Sequence, residues 1–251
     1  KLSMKKISIL LLLPLTAYYL LPADLFAQQI QYNNQYIVNR FSLSPAFAGN
    51  SGYFQAFANY RKSWMGVPGS PEIRGVNANA AFMGNMGIGG SIHSEQTGIF
   101  RNSSISLSYA YHLKLNDAQK LSFGLGAGVL DNRIDLSGSK SLNSGDPLIT
   151  SNQNVRSMVF NANFGMVYKF KALNVGVALP QLVPSKSKND AGTLYTLKMH
   201  NLVHLSYLYD INKDWQVEPM VVLRKTASTD LFYEAAAIGK YKEMVFAALT
   251  Y

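Results

Sequence analysis

From Tyr53 onward the chain alternates: apolar or aromatic residues occupy every second position, and Gly, Asn, Asp, Ser and Pro break the pattern at intervals. Period two predicts strands with two unlike faces. Over 103–115, Ile105, Leu107, Tyr109, Tyr111 and Leu113 fall on one face, and Ser104, Ser106, Ser108, Ala110 and His112 on the other. Residues 120–132 set Leu121, Phe123, Leu125, Ala127 and Val129 against Ser122, Gly124, Gly126 and Gly128. The second face is therefore small and polar. Eleven such segments are expected, at 52–64, 73–83, 86–95, 102–115, 120–132, 157–170, 172–179, 198–211, 215–224, 229–238 and 244–251. Most exceed the ~5–6 residues usual for globular strands and suit the ~9–11 that cross a bilayer at a tilt.

The intervening gaps sort by length. Those at 65–72, 96–101, 133–156 and 180–197 are longer than their neighbours at 84–85, 116–119, 171, 212–214 and 239–243; only 225–228 departs from the rule. Outer-membrane barrels alternate short periplasmic turns with longer extracellular loops, and a soluble sandwich has no reason to. The expected fold is an all-β, antiparallel up-and-down transmembrane barrel. An odd strand count would leave open edges in hydrocarbon, where unsatisfied backbone groups cost several kcal/mol each. This predicts a barrel truncated at its C-terminus, with more strands in the full protein.

The first residues read differently. Lys5 and Lys6 precede an apolar run that ends at Leu25-Phe26-Ala27, the layout of a secretory signal peptide cleaved before Gln28. The expected organisation is a signal peptide at 1–27, an N-terminal periplasmic or luminal segment at 28–50 without clear alternation, and an incomplete barrel domain at 51–251, placed in the outer membrane.

Composition narrows the chemistry. Charged residues make up 15% of the 251 residues and cysteine is absent, against about 25% charge in a typical soluble domain. Disulfide scaffolds, thiolate metal sites and Cys nucleophiles are thereby excluded. A net charge of +9 is scattered rather than gathered into a basic run, so no nucleic-acid partner is expected. Tyr60, Trp64, Tyr109, Tyr111, Tyr207, Tyr209 and Trp215 sit toward strand ends on the apolar face, as an aromatic girdle at the headgroup level would; in a soluble sheet they would be core aromatics. Asn59, Arg61, Asn77, Asn79, Ser91, His93, Ser106, Asn161, Asn163, Lys169, Glu218 and Glu234 fall on the inner face. His200 and His204 lie roughly 13 Å apart if both are on one strand, too far for one metal ion. Ser91 and His93 share a face without any nucleophile elbow. The glycines of 84–90 open no helix that could hold phosphate. No catalytic, cofactor or metal site is expected.

Several motifs resemble a known family, the PorP/SprF outer-membrane proteins of the Bacteroidota type IX secretion and gliding system. Tyr36-Ile37-Val38-Asn39 and Ser44-Pro45-Ala46-Phe47-Ala48-Gly49 resemble its N-terminal signature, with Ser44 where the family has Asn. Tyr60, Arg61, Trp64, Gly66 and Pro71 resemble a second motif. Gly165, Pro180, Trp215, Pro219 and Lys225 fall in later matches, so the resemblance runs over 36–251. It implies a non-enzymatic barrel without cofactors, set in outer-membrane lipid. Such a barrel would partner periplasmic secretion-machinery proteins and a peptidoglycan-associated lipoprotein, and would support export or anchoring of a secreted adhesin or effector. On this view the signature residues are structural or partner-docking. The competing expectations are a general porin or small-molecule transporter with an open lumen and, last, a soluble secreted β-protein.

Overall fold

The alternation described above becomes a single antiparallel meander in a computed structural model, which describes residues 34–135, 155–189, 192–226, 230–242 and 244–251. The proposed signal peptide and residues 28–33 lie outside them. The strands are β1 (Gln55–Lys62), β2 (Glu72–Phe82), β3 (Met86–Thr97), β4 (Phe100–Asn116), β5 (Gln119–Ile134), β6 (Val155–Phe170), β7 (Leu173–Gln181), β8 (Ser185–Asn189), β9 (Gly192–Leu197), β10 (His200–Tyr207), β11 (Tyr209–Asp210), β12 (Trp215–Thr226), β13 (Phe232–Tyr241) and β14 (Val245–Thr250). One sheet runs β1-β2-β3-β4-β5-β6-β7-β10-β12-β13-β14, with β11 alongside β12. Among the described residues β1 and β14 are its two edges. The all-β, up-and-down architecture is as expected, and each of the eleven predicted segments has its strand on the main path.

Four differences have local causes. The gap at 180–197, expected to be a loop, holds the separate hairpin β8–β9. Its first strand reads Ser-Lys-Ser-Lys-Asn, which has no apolar position for an alternation reading to register. The segment expected at 198–211 breaks at Leu208, whose N–H turns to the Ala172 carbonyl at 3.0 Å. The segment expected at 229–238 is displaced to Phe232–Tyr241, because pairing with β12 continues to Trp215 opposite Tyr241. Finally, β3 and β4 pair as far as Thr97 and Phe100. The turn at 98–99 is therefore as short as those on the opposite rim, and the sorting of loop lengths is less regular than expected.

Burial follows the parity. Ile88, Ile105, Leu107, Tyr109 and Leu125 are exposed on one face. Asn77, Asn79, His112, Ser122, His204, Glu218 and Glu234 are buried on the other. Water would not tolerate so broad an apolar exterior, whereas lipid does. The girdle residues Tyr60, Trp64, Tyr109, Tyr111, Tyr207, Tyr209 and Trp215 are all exposed on that exterior. No described helix is long and apolar enough to cross a membrane; crossing would be by strands.

The buried core is not sheet against sheet. It forms where the inner face meets residues 34–50, which fold as three 3-10 turns at Asn34–Ile37, Arg40–Ser42 and Pro45–Phe47. Tyr36, Leu43, Ala46 and Phe47 of this segment pack with Val167, Ala178, Leu202, Met220, Val222 and Ala236 from the strands.

Candidate functional site: a plugged lumen

Residues 34–50 lack alternation, and Pro45 and Gly49 prevent a continuous strand. Their backbone must find other partners, and those partners come from strands all along the sheet. Asn39 Nδ2 donates to Asn77 Oδ1 on β2 at 2.6 Å, and the Gly49 N–H donates to Asn79 Oδ1 at 3.0 Å. His112 on β4 pairs through Nε2 with the Ala48 carbonyl at 2.9 Å and through Nδ1 with Ser122 Oγ at 2.8 Å. Lys120 on β5 donates to Asn50 Oδ1 at 2.6 Å. Phe47 stands against the His204 ring of β10, centroids 5.4 Å apart. Arg40 pairs with Glu218 on β12 at 2.6 Å, and Asn34 Nδ2 reaches Thr250 Oγ1 on β14 at 3.1 Å. Strands from β2 to β14 thus close on one segment, and the sheet is curled around it.

The seat is cut in the sheet by glycine and alanine. Gly87, Ala110, Gly124, Gly165 and Ala178 stand opposite one another in register across β3 to β7. They form one row of small residues on the inner face. A Cβ on Gly87 would lie 1.9 Å from the Ala48 carbonyl oxygen, one on Gly124 2.2 Å from the Ala46 nitrogen, and one on Gly165 1.9 Å from Ser44 Oγ. The plug backbone therefore rests directly on strand backbone along this trough. Gly49, at φ +68°, turns the chain out of the trough with Ala80 and Gly87 pressed against it. Ser44, in the place of the signature Asn, caps the last turn by accepting the Ala46 N–H at 3.2 Å.

The first half of the plug meets charge. Glu218 is shared by Arg40 and by Lys240 at 2.9 Å, and Arg224 pairs with Glu234 at 2.9 Å. Arg40 also contacts the Met220 sulfur. Tyr36 is 1% exposed, with the Arg224 guanidinium 6.0 Å from its ring centre. Burial, with Glu234 adding to it, pushes its hydroxyl above the ordinary tyrosine value, against the opposing pull of Arg224 and Arg40. Tyr36 is thus a neutral anchor. Among the described residues no group of three His, Asp or Glu side chains could hold a metal ion.

A family model described as type IX secretion system membrane protein PorP/SprF matches residues 25–251. The chain belongs to the PorP/SprF family. No curated protein matches it. Among solved structures, the translocator domain of autotransporter NalP from Neisseria meningitidis is similar at a TM-score of 0.38 and 13% identity, over 79% of each chain. So slight a likeness carries no argument. The PorP/SprF chain is a membrane component of the type IX secretion system.

Of the signature residues, Asn39, Pro45, Ala46, Phe47, Gly49 and Gly165 come together at the plug. The others do not join them. Tyr60 and Arg61 are exposed on β1, and Trp64 and Gly66 take positive φ in the connection to β2, where the Pro71 carbonyl accepts the Ser63 N–H at 2.9 Å. The Pro180 carbonyl accepts from Asn161 Nδ2 at 3.1 Å. Trp215 stands by Tyr241 at 4.8 Å, and Pro219 and Lys225 are exposed on β12. Sequence reasoning passed over Arg40, Asn77, His112 and the trough glycines as plug contacts. The available signal was a non-alternating segment facing strands with glycine at inner positions; what it lacked was the register that lines those glycines up.

Proposed function

We propose that this PorP/SprF protein is a plugged, non-enzymatic outer-membrane barrel of the secretion system. It supports export or surface anchoring of secreted proteins such as adhesins, and it contacts the periplasmic machinery, including a peptidoglycan-associated lipoprotein, from its short-turn rim. The observation that carries this reading is the segment inside the curled sheet: a general porin needs an open aqueous path, and residues 34–50 lie across the inner face, packed on β6, β7, β10, β12 and β13. The plug leaves the lumen beside the turn at 117–118, where Asn50 is held by Lys120. Short turns face the periplasm in such barrels, so the segment that precedes β1 is within reach of periplasmic partners.

Two measurements test the proposal together. The reconstituted protein should show no large steady conductance in planar bilayers, and deleting 28–41 in cells should abolish both cargo secretion and co-purification of periplasmic partners. Large steady currents from the intact chain would favour the transporter reading. Unchanged secretion and co-purification after the deletion would remove the docking role.

A further inference from the structure

The outward face carries a second feature, away from the plug. Along the long-loop halves of β2 to β6 the pairing has no register shift; the one irregularity, between Lys114 and Asn116, lies at the other end. Side-chain parity is therefore unbroken, and Arg74, Arg101, Asp131, Arg133 and Arg156 stand on the same outward face as Ile105 and Leu107. Arg101, Arg133 and Arg156 are directly opposite one another across β4, β5 and β6.

Their height is set by the residues beneath them. Outward positions on β4 are apolar or aromatic from Ile105 to Leu115, which at ~3.3 Å per residue and a tilt of roughly 40° makes a band about 25 Å tall. That is the thickness of the apolar belt of an outer-membrane barrel, so the arginines begin where hydrocarbon ends. The opposite rim carries outward aromatics instead, among them Trp215 and Tyr241.

The arginines are only partly neutralised. The Asp131 carboxylate is shared by Arg133 and Arg156, each at 2.7 Å. Glu72 takes Arg74 Nε at 2.6 Å. Arg101 donates to the neutral Gln96 Oε1 at 3.0 Å. Among the described side chains of this patch, the four guanidinium groups of Arg74, Arg101, Arg133 and Arg156 thus share the two carboxylates of Glu72 and Asp131. The Arg74, Arg133 and Arg156 side chains are 70%, 48% and 50% exposed, and Arg74, Arg101 and Arg133 line, with Glu72, Gln96 and Asp131, a cavity of about 360 Å³. A guanidinium fork matches two phosphate oxygens, and tying the arginines to their neighbours in advance lowers the cost of ordering them around a ligand.

We propose that this patch binds the phosphates of an outer-leaflet glycolipid of the lipid A type, fixing the long-loop rim to the headgroup layer. The inference rests on the outer-membrane placement proposed above, with the longer loops outside. To test it, the full chain is inserted into phosphatidylcholine nanodiscs containing either diphosphoryl lipid A or its dephosphorylated form, and the lipid that co-purifies is measured by mass spectrometry. Fluorescence quenching of the tryptophans by brominated lipid reports insertion separately, so a failure of membrane placement is distinguishable from a failure of lipid binding. The expected result is about tenfold preference for the phosphorylated lipid, as charge-assisted bidentate contacts would give. The variant Arg101→Gln/Arg133→Gln/Arg156→Gln should lose that preference, and the matching Arg→Lys variant should keep part of it. Equal retention of the two lipids, or an unchanged preference in the Gln variant, overturns the proposal. So does full displacement by millimolar inorganic phosphate, which would make the patch a site for free anions. If the Gln variant does not insert, the comparison of the two lipids on the unmodified chain decides.

Discussion

Replacing Gly124 with alanine tests the plug where its last turn rests on the bare backbone of β5. The new Cβ would fall 2.2 Å from the Ala46 nitrogen, 2.3 Å from the Pro45 carbonyl carbon and 2.6 Å from Ala46 Cα. All three are backbone atoms, and comfortable contact needs ~3.5 Å or more. No side-chain rotation relieves the overlap, so the Pro45–Phe47 turn must lift by about an ångström or leave. Overpacking of this kind costs about 1–3 kcal/mol, and at ~1.4 kcal/mol per tenfold the unseated population rises by roughly 5- to 150-fold. Because the chain has no cysteine, Ser44→Cys supplies a unique reporter at a position that is 2% exposed. Its maleimide labelling rate in reconstituted protein should rise by that factor in the Gly124→Ala background, and brief channel openings should become more frequent. Gly239→Ala, whose Cβ meets nothing nearer than 3.9 Å, should change neither. Labelling and conductance that match the parent in Gly124→Ala would falsify the placement of the plug in the glycine trough.

Three further outcomes follow from the same contacts. Asn77→Ala strands the buried Asn39 amide and should loosen the plug by about 1–3 kcal/mol, while the double change with Asn39→Ala should cost less than the two single effects summed, as a double-mutant cycle on Ser44→Cys labelling would read. Glu218→Gln removes the counter-ion shared by Arg40 and Lys240. Because Arg40 is 23% exposed, the effect should fall near 1–3 kcal/mol, below the ~3–5 of a fully buried pair, and denaturant midpoints for unfolding of the reconstituted barrel would measure it. The two tryptophans, Trp64 and Trp215, are 70% and 49% exposed. Lipids brominated near the headgroup should quench them more strongly than lipids brominated at the chain ends; the reverse order would place them away from the interface.

The strands were legible because alternation is a local signal: the outward Ile105, Leu107 and Tyr109 and the inward Ser106 and Ser108 declare their faces without knowledge of their neighbours. The hairpin β8–β9 was not, since Lys186 and Lys188 alternate with serines and supply no apolar mark. The plug lay between these cases. Its lack of alternation and its signature residues were visible, yet Gly87, Gly124 and Gly165 looked like members of a merely small, polar face. Which of them share a row depends on the inter-strand register, and that is written in no single strand. His112 and His204 show the same limit: the alternation puts His112 on the small, polar face and the spacing sets His204 too far from His200 to share a metal ion, and their hold on Ala48 and Phe47 appears only once the sheet is curled.

The contact between Asn34 and Thr250 spans 216 positions of sequence. Contacts that distant form late, because the whole intervening chain must first be ordered. The plug is made before any described strand, but its seat is unfinished until β12 and β14 are in place. A barrel caught partway through insertion would therefore be leaky, and sealing of the membrane would mark the end of assembly.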